Sequence, residues 1–211
     1  MSEEAKRVAA VEPPTRSARP IRRELVPLFD ELRGERVIVR PHQIGDFDEL
    51  WEAIQESRDE LRPWLPFADQ SPDDLRAWLT RAEANWLTRE GLGCAIVDRE
   101  TGRIAGNLGL MIHDWEIGYF EIGYWLRTSA TGRGFMTEAV RLITDFAFDH
   151  LWANRVEIRC DARNERSAAV PRRLGFTQEA HLRWAHTFVD EVARDMLIFA
   201  LIRTDPRWPE R

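Results

Sequence analysis

The stretch Tyr124-Trp125-Leu126-Arg127-Thr128-Ser129-Ala130-Thr131-Gly132-Arg133-Gly134-Phe135-Met136-Thr137-Glu138-Ala139 leaves the chain few paths to take. An apolar strand pattern ends at Leu126, a loop with two glycines covers residues 127–134, and a helical pattern runs over 135–152. A strand feeding a helix through so short a loop predicts a helix laid back on a sheet. Glycine lets a backbone turn sharply and come close to a ligand. The helix start offers N–H groups without intrahelical acceptors and a partial positive charge. Together they predict an anion site, to which Arg133 adds a full charge. An ordinary tight turn would have the same spacing. The pattern is not the dinucleotide fingerprint, and no Gly-Lys-Ser/Thr follows, so nicotinamide and nucleoside-triphosphate enzymes are disfavoured.

The rest of the chain builds around that segment. Residues 36–40 alternate valine and isoleucine with charge, as a half-buried strand does. Residues 46–61 read as a helix with Leu50, Ile54 and Leu61 on its apolar stripe. Pro63 and Pro66 then stiffen a loop over 62–67. Ser71, Pro72, Asp73 and Asp74 form a strong helix start, followed by Leu75, Trp78, Leu79, Ala82 and Trp86 at helical spacing. Gly91 and Gly93 are expected to end that helix. Strands follow over 94–98, 104–112, 116–126 and 155–160, then a short helix over 164–174 stopped by Gly175. Two last strands cover 176–185 and 192–203. Residues 23–211 thus read as one mixed-sheet α/β domain. Residues 1–22, with Pro13, Pro14 and Pro20, read as a disordered arm. Arg16, Arg19, Arg22 and Arg23 there are either solvated or free to meet a phosphate-bearing partner.

Composition removes other classes. With 44% hydrophobic and 31% charged residues, the chain can bury an ordinary globular core. No apolar run approaches the roughly 20 residues of a spanning helix, so no membrane partner is expected. A net charge of −6 argues against nucleic acid. Cys94 and Cys160 sit in apolar runs and read as buried thiols of a cytoplasmic protein. His42 and His113 are placed in turns, and His150 and His181 are read as unpaired, so no metal site is expected.

A second segment gives the loop a context: Asn164-Glu165-Arg166-Ser167, then Leu174-Gly175-Phe176. The pair resembles the GNAT superfamily of N-acetyltransferases, and within it the branch that acetylates ribosomal-protein N-termini. Residues 131–136 stand where that family has its pyrophosphate-binding signature. Leu61-Arg62-Pro63-Trp64-Leu65-Pro66-Phe67 is similar to the branch's Trp-Leu-Pro loop, and Glu121-Ile122-Gly123-Tyr124-Trp125-Leu126 to its central strand. The likeness covers residues 36–203. It implies a GNAT fold: α/β (α+β), with a mixed, mostly antiparallel six- to seven-stranded sheet flanked by helices and splayed at its centre. It departs at Thr131, where Arg or Gln is usual, and at Met136, where Gly or Ala is usual.

The resemblance also implies a reaction: transfer of acetyl from acetyl-CoA to a primary amine, in the first instance a protein N-terminus. A small-molecule amine is the alternative acceptor, and a non-catalytic acyl-CoA-binding module a third reading. Homodimers are frequent in the family. Trp125, Leu126, Arg127, Thr131, Gly132, Arg133, Gly134, Phe135, Met136 and Thr137 would hold the cofactor, with a backbone N–H near Trp125–Leu126 for the oxyanion. Asn164 would meet the pantetheine or a bound water, and Ser167 would hydrogen-bond the departing thiolate. Both are equally natural helix caps. Glu121 on the central strand and His186, placed in the loop between the last two strands, are candidate bases, or else surface groups. Trp64, Phe67 and Tyr124 would line the acceptor side. Pro171 falls inside the short helix and is expected to kink it, leaving the Ser167 carbonyl free beside the cofactor. Gly134→Asp puts a carboxylate against the phosphates, and titration with coenzyme A is expected to show binding lost.

Overall fold

The computed structural model describes residues 23–187 and 192–205. The arm expected over 1–22 lies outside them, and Arg23, the next residue, opens a short 3-10 turn. Eight strands form one sheet: β1 (Leu32–Arg33), β2 (Val37–Pro41), β3 (Gly91–Asp98), β4 (Ile104–Asp114), β5 (Tyr119–Leu126), β6 (Arg155–Asp161), β7 (Thr177–Thr187) and β8 (Ala193–Ile202), in the order β1-β2-β3-β4-β5-β6-β8-β7. Neighbours are antiparallel except β5 and β6, which run parallel. The strand beyond the expected seven is β1, whose two residues are too few to carry a period.

Helices cover both faces. α1 (Phe47–Glu56), α2 (Arg58–Leu61) and α3 (Pro72–Thr88) lie on one side, where Leu50, Ile54, Leu75 and Leu79 pack against Ala95, Ile104 and Trp125. On the other, α4 (Phe135–His150) buries Phe135, Ala139, Val140, Ile143 and Ala147 against Leu108, Leu110, Phe120, Ile122 and Ile158. That one strand feeds both cores follows from its alternation: Phe120 and Ile122 face one way, Trp125 the other. α5 (Glu165–Arg173) follows β6.

Three local readings change. The helix expected over 46–61 breaks at Ser57, which is fully buried and accepts the Thr128 amide on Oγ at 2.8 Å. α3 starts as expected, with Ser71 and Asp74 capping each other, but ends at Arg89, which takes the left-handed conformation (φ 57°). Gly91 and Gly93 instead belong to β3. His42, His113 and His181 are neither turn residues nor unpaired. His42 is buried with Nε2 2.6 Å from Asn107 Oδ1; His113 in β4 and His181 in β7 each stand 2.8 Å from a carboxylate, Glu121 and Asp195. Both cysteines are free and buried.

The loop after β5 is anchored through charge. Arg127 is 6% exposed, donates Nε to Glu56 at 2.8 Å and Nη2 to Glu52 at 3.1 Å, and pairs its amide with Ala105 O at 2.8 Å. The Ser129 amide meets the other Glu56 oxygen at 2.8 Å. Burial opposes ionisation of Glu56, yet the bonds from Arg127 and Ser129 outweigh it and hold its carboxyl at about 2, below an ordinary 4.5. Removing one partner of a buried pair strands the other, so Arg127→Ala should cost about 3 kcal/mol. Because the folded value is depressed, this stabilisation is complete above pH 4.5 and fades as pH falls towards about 2. Urea unfolding should show wild type and variant converging over that interval.

Candidate active site

β5 and β6 pair only where Tyr119, Phe120 and Glu121 meet Arg155, Val156 and Glu157. Beyond that point they part, while β5 stays paired with β4 as far as Leu126 and β6 with β8 as far as Asp161. The Arg127 amide points at β4, so by the two-residue alternation of a strand the amides of Tyr124 and Leu126 point into the gap. A cleft of about 1060 Å³ opens there, bounded by residues 122–126 of β5, Arg159, Cys160 and Asp161 of β6, the start of α4 and one face of α5.

At one end of the cleft Gly132 (φ 75°) and Gly134 (φ 80°) hold left-handed conformations, with open space where a side chain would start. Gly134 is the N-cap of α4, and the first intrahelical bond runs from the Glu138 amide to Gly134 O at 3.1 Å. The amides of Phe135, Met136 and Thr137 come before it and point outward. Bare glycines and outward amides at a positive helix end fit a diphosphate.

Near the middle, Asn164 caps α5 by accepting the Ser167 amide on Oδ1 at 3.0 Å. Ser167 Oγ lies 3.3 Å from the Tyr124 phenol, which itself donates to Ser167 O at 2.9 Å. Burial pushes the Tyr124 phenol well above its ordinary range, so it stays protonated and keeps donating. α5 runs through Pro171 to Arg173. The Ser167 carbonyl is therefore not free: proline withholds the N–H it would have received, and the phenol of β5 supplies the replacement.

The acetyltransferase (GNAT) domain family matches residues 36–177. The chain belongs to the GNAT acetyltransferases. It is 28% identical over 176 residues to the putative ribosomal N-acetyltransferase YdaF of Bacillus subtilis (strain 168), covering 82% of this chain and 94% of that protein. A crystal structure of a probable acetyltransferase superposes with TM-score 0.77 at 28% identity, over 84% of this chain and 98% of the other. The ribosomal L7/L12 α-N-protein acetyltransferase RimL, solved in complex with coenzyme A, shares the fold (TM-score 0.75, 22% identity, 82% and 97% covered). GNAT enzymes take their acetyl group from acetyl-CoA, and this chain is an acetyl-CoA-dependent N-acetyltransferase of that type.

The GNAT cleft gathers Tyr124, Trp125, Leu126, Thr131, Gly132, Gly134, Phe135, Met136, Thr137, Asn164, Ser167 and Trp64 along its walls. Other expected residues lie elsewhere or, like Thr131, have their polar groups already engaged. Arg127 is committed to Glu52 and Glu56 beneath the loop. Arg133 turns away to Asp98 (3.0 Å) and Glu100 (3.4 Å), so its charge is already answered. Thr131 spends its hydroxyl and amide on Thr128 O. Phe67 packs inward, 5.7 Å from the Trp125 ring. Glu121 is bonded to His113 and stands 3.4 Å from Arg159, beside the cleft rather than in its wall. His186 lies within β7, paired in register with Arg194, and not in a loop.

Sequence reading missed Glu60, Leu65, Cys160 and Asp161, which also line the cleft. The α5 spacing Arg166, Ala169–Val170, Arg173 was a visible signal, since those positions share one helix face and all reach the cleft. Tyr124→Phe orphans the Ser167 carbonyl and should destabilise the fold by about 1–2 kcal/mol. Adding Pro171→Ala restores an in-helix N–H for that carbonyl. Thermal unfolding should therefore show the double variant recovering part of the loss.

Proposed function

We propose that this acetyltransferase acts on the N-terminal amine of a protein, of the kind carried by ribosomal proteins. What carries the reading is the likeness to YdaF, named a putative ribosomal N-acetyltransferase, along nearly the whole of that protein. The cleft supports it: apolar Trp64 and Leu65 stand in its wall, a surface on which a peptide behind the amine could rest.

Bound acetyl-CoA supplies an activated thioester. The amides of Phe135, Met136 and Thr137, with the bare faces of Gly132 and Gly134, hold its phosphates. The amides of Tyr124 and Leu126 would receive the arm as a further strand does, and the Leu126 N–H would be the donor offered to the acyl oxygen. Asn164 keeps its side-chain N–H₂ for the same arm, because only its oxygen is used in capping. Glu60 in the cleft wall draws the acceptor's ammonium in. Asp161 in the same wall is already paired with Arg163 at 3.0 Å and Arg194 at 3.6 Å. Glu121, with His113 behind it, takes the ammonium proton through water. Ser167 Oγ, held 3.3 Å from the Tyr124 phenol, would hydrogen-bond the departing thiolate.

Thiol release from acetyl-CoA should be followed with N-terminal peptides and with polyamines, amino acids and aminoglycosides. Acetylation of peptide α-amines, located by mass spectrometry, is the expected result; turnover of small amines alone would replace the acceptor class. Ser167→Ala is expected to lower kcat at least about tenfold while coenzyme A affinity holds within about twofold. Equal loss of both removes that hydrogen-bonding role.

A further inference from the structure

The turn Gly34-Glu35-Arg36 between β1 and β2 is held far more firmly than a hairpin tip requires. The Glu35 and Arg36 amides both donate to the Glu138 carboxylate, Arg36 at 3.2 Å to each oxygen. The Gly34 amide donates to Val37 O at 2.8 Å. On the other side, Arg99 Nη1 donates to the carbonyls of Gly34 (2.6 Å) and Glu35 (3.2 Å), and its amide to Arg36 O at 2.9 Å. Even the glycine is specified, because a Cβ on Gly34 would overlap the Glu138 carboxylate. Loop tips at a sheet edge are ordinarily the loosest part of a fold.

What the turn carries is a cation. The Arg36 side chain is 57% exposed, and its nearest carboxylates stand at 3.7 Å (Glu138) and 4.0 Å (Glu35), the outer limit of an ion pair. Glu35 and Arg36 line the same cleft as Gly132 and Gly134. Glu138 is 7% exposed on the first turn of α4, next to the amides of residues 135–137. A buried carboxylate that close to an anion site would repel the anion unless a cation answered it. The guanidinium of Arg36 is within reach to do so.

We propose that Arg36 binds a phosphate of acetyl-CoA, and that Glu138 is the positioning residue that aims it by clamping the Gly34–Arg36 turn to the start of the anion-binding helix. The inference rests on acetyl-CoA occupying this cleft. Two phosphate groups qualify, the pyrophosphate and the 3′-phosphate on the ribose, and both are recognised through the same charge-assisted bonds.

Calorimetric titration of the full chain with coenzyme A and with dephospho-coenzyme A tests it. Arg36→Ala should weaken coenzyme A binding about tenfold, the loss shrinking at high salt. An equal loss for dephospho-coenzyme A assigns Arg36 to the pyrophosphate; a loss confined to coenzyme A assigns it to the 3′-phosphate. Unchanged affinity for both overturns the proposal. Glu138→Ala should weaken binding in wild type but not further in Arg36→Ala, a coupling that merely structural damage would not produce. Additive losses would deny Glu138 its positioning role. Glu138→Gln keeps an acceptor oxygen for the two amides, so it should retain affinity and a folded chain if Glu138→Ala does not fold. Wild type that ignores both ligands would instead overturn the acetyl-CoA reading itself.

Discussion

The site exists because two neighbouring strands stop bonding to each other. After Glu121 and Glu157 the backbone of β5 loses its partner on the β6 side, yet both strands keep their outer ladders. A sheet normally cannot leave such groups bare in its middle without penalty. Here the gap is kept open from both flanks. Arg127 and Ser57 pin the end of β5 to α1, and Tyr124 ties α5 across the opening. The amides that β5 turns toward β6 beyond that point face the cleft, and at its head α4 presents the amides of its first turn. Two incomplete hydrogen-bond ladders, one of a sheet and one of a helix, thus share one cleft.

The division of charge follows from that arrangement. Residues 135–137, whose amides precede the first intrahelical bond, line the cleft, whereas the arginines nearest in sequence turn away from it. Arg127 and Arg133 flank the loop and are both neutralised by carboxylates, one set on α1 and one at the end of β3. Their task is to hold the loop still. The cations that face the cleft come from other elements, among them Arg166 and Arg173 on α5.

The contrast marks what could be read without a structure. Local rules sufficed for the helix start at Ser71 and the glycine-bearing loop before Phe135. They failed where a partner was distant along the chain. Arg127 lies 71 residues from Glu56, and nothing around either one announces the pair. Ser57 ends a helix because its hydroxyl is needed at Thr128, again 71 residues away. Pro171 withholds an N–H from the Ser167 carbonyl, but that carbonyl is not left free, because the claimant, Tyr124, sits on another element. Phe67 was assigned to the cleft from its loop, and it is drawn instead to the indole of Trp125, beneath the helices.

Cys160 stands in the wall of this cleft, and burial pushes its thiol up to about 11. A thiol kept protonated by burial is a poor nucleophile, so at neutral pH this wall of the cleft presents an inert sulfur rather than a reactive thiolate.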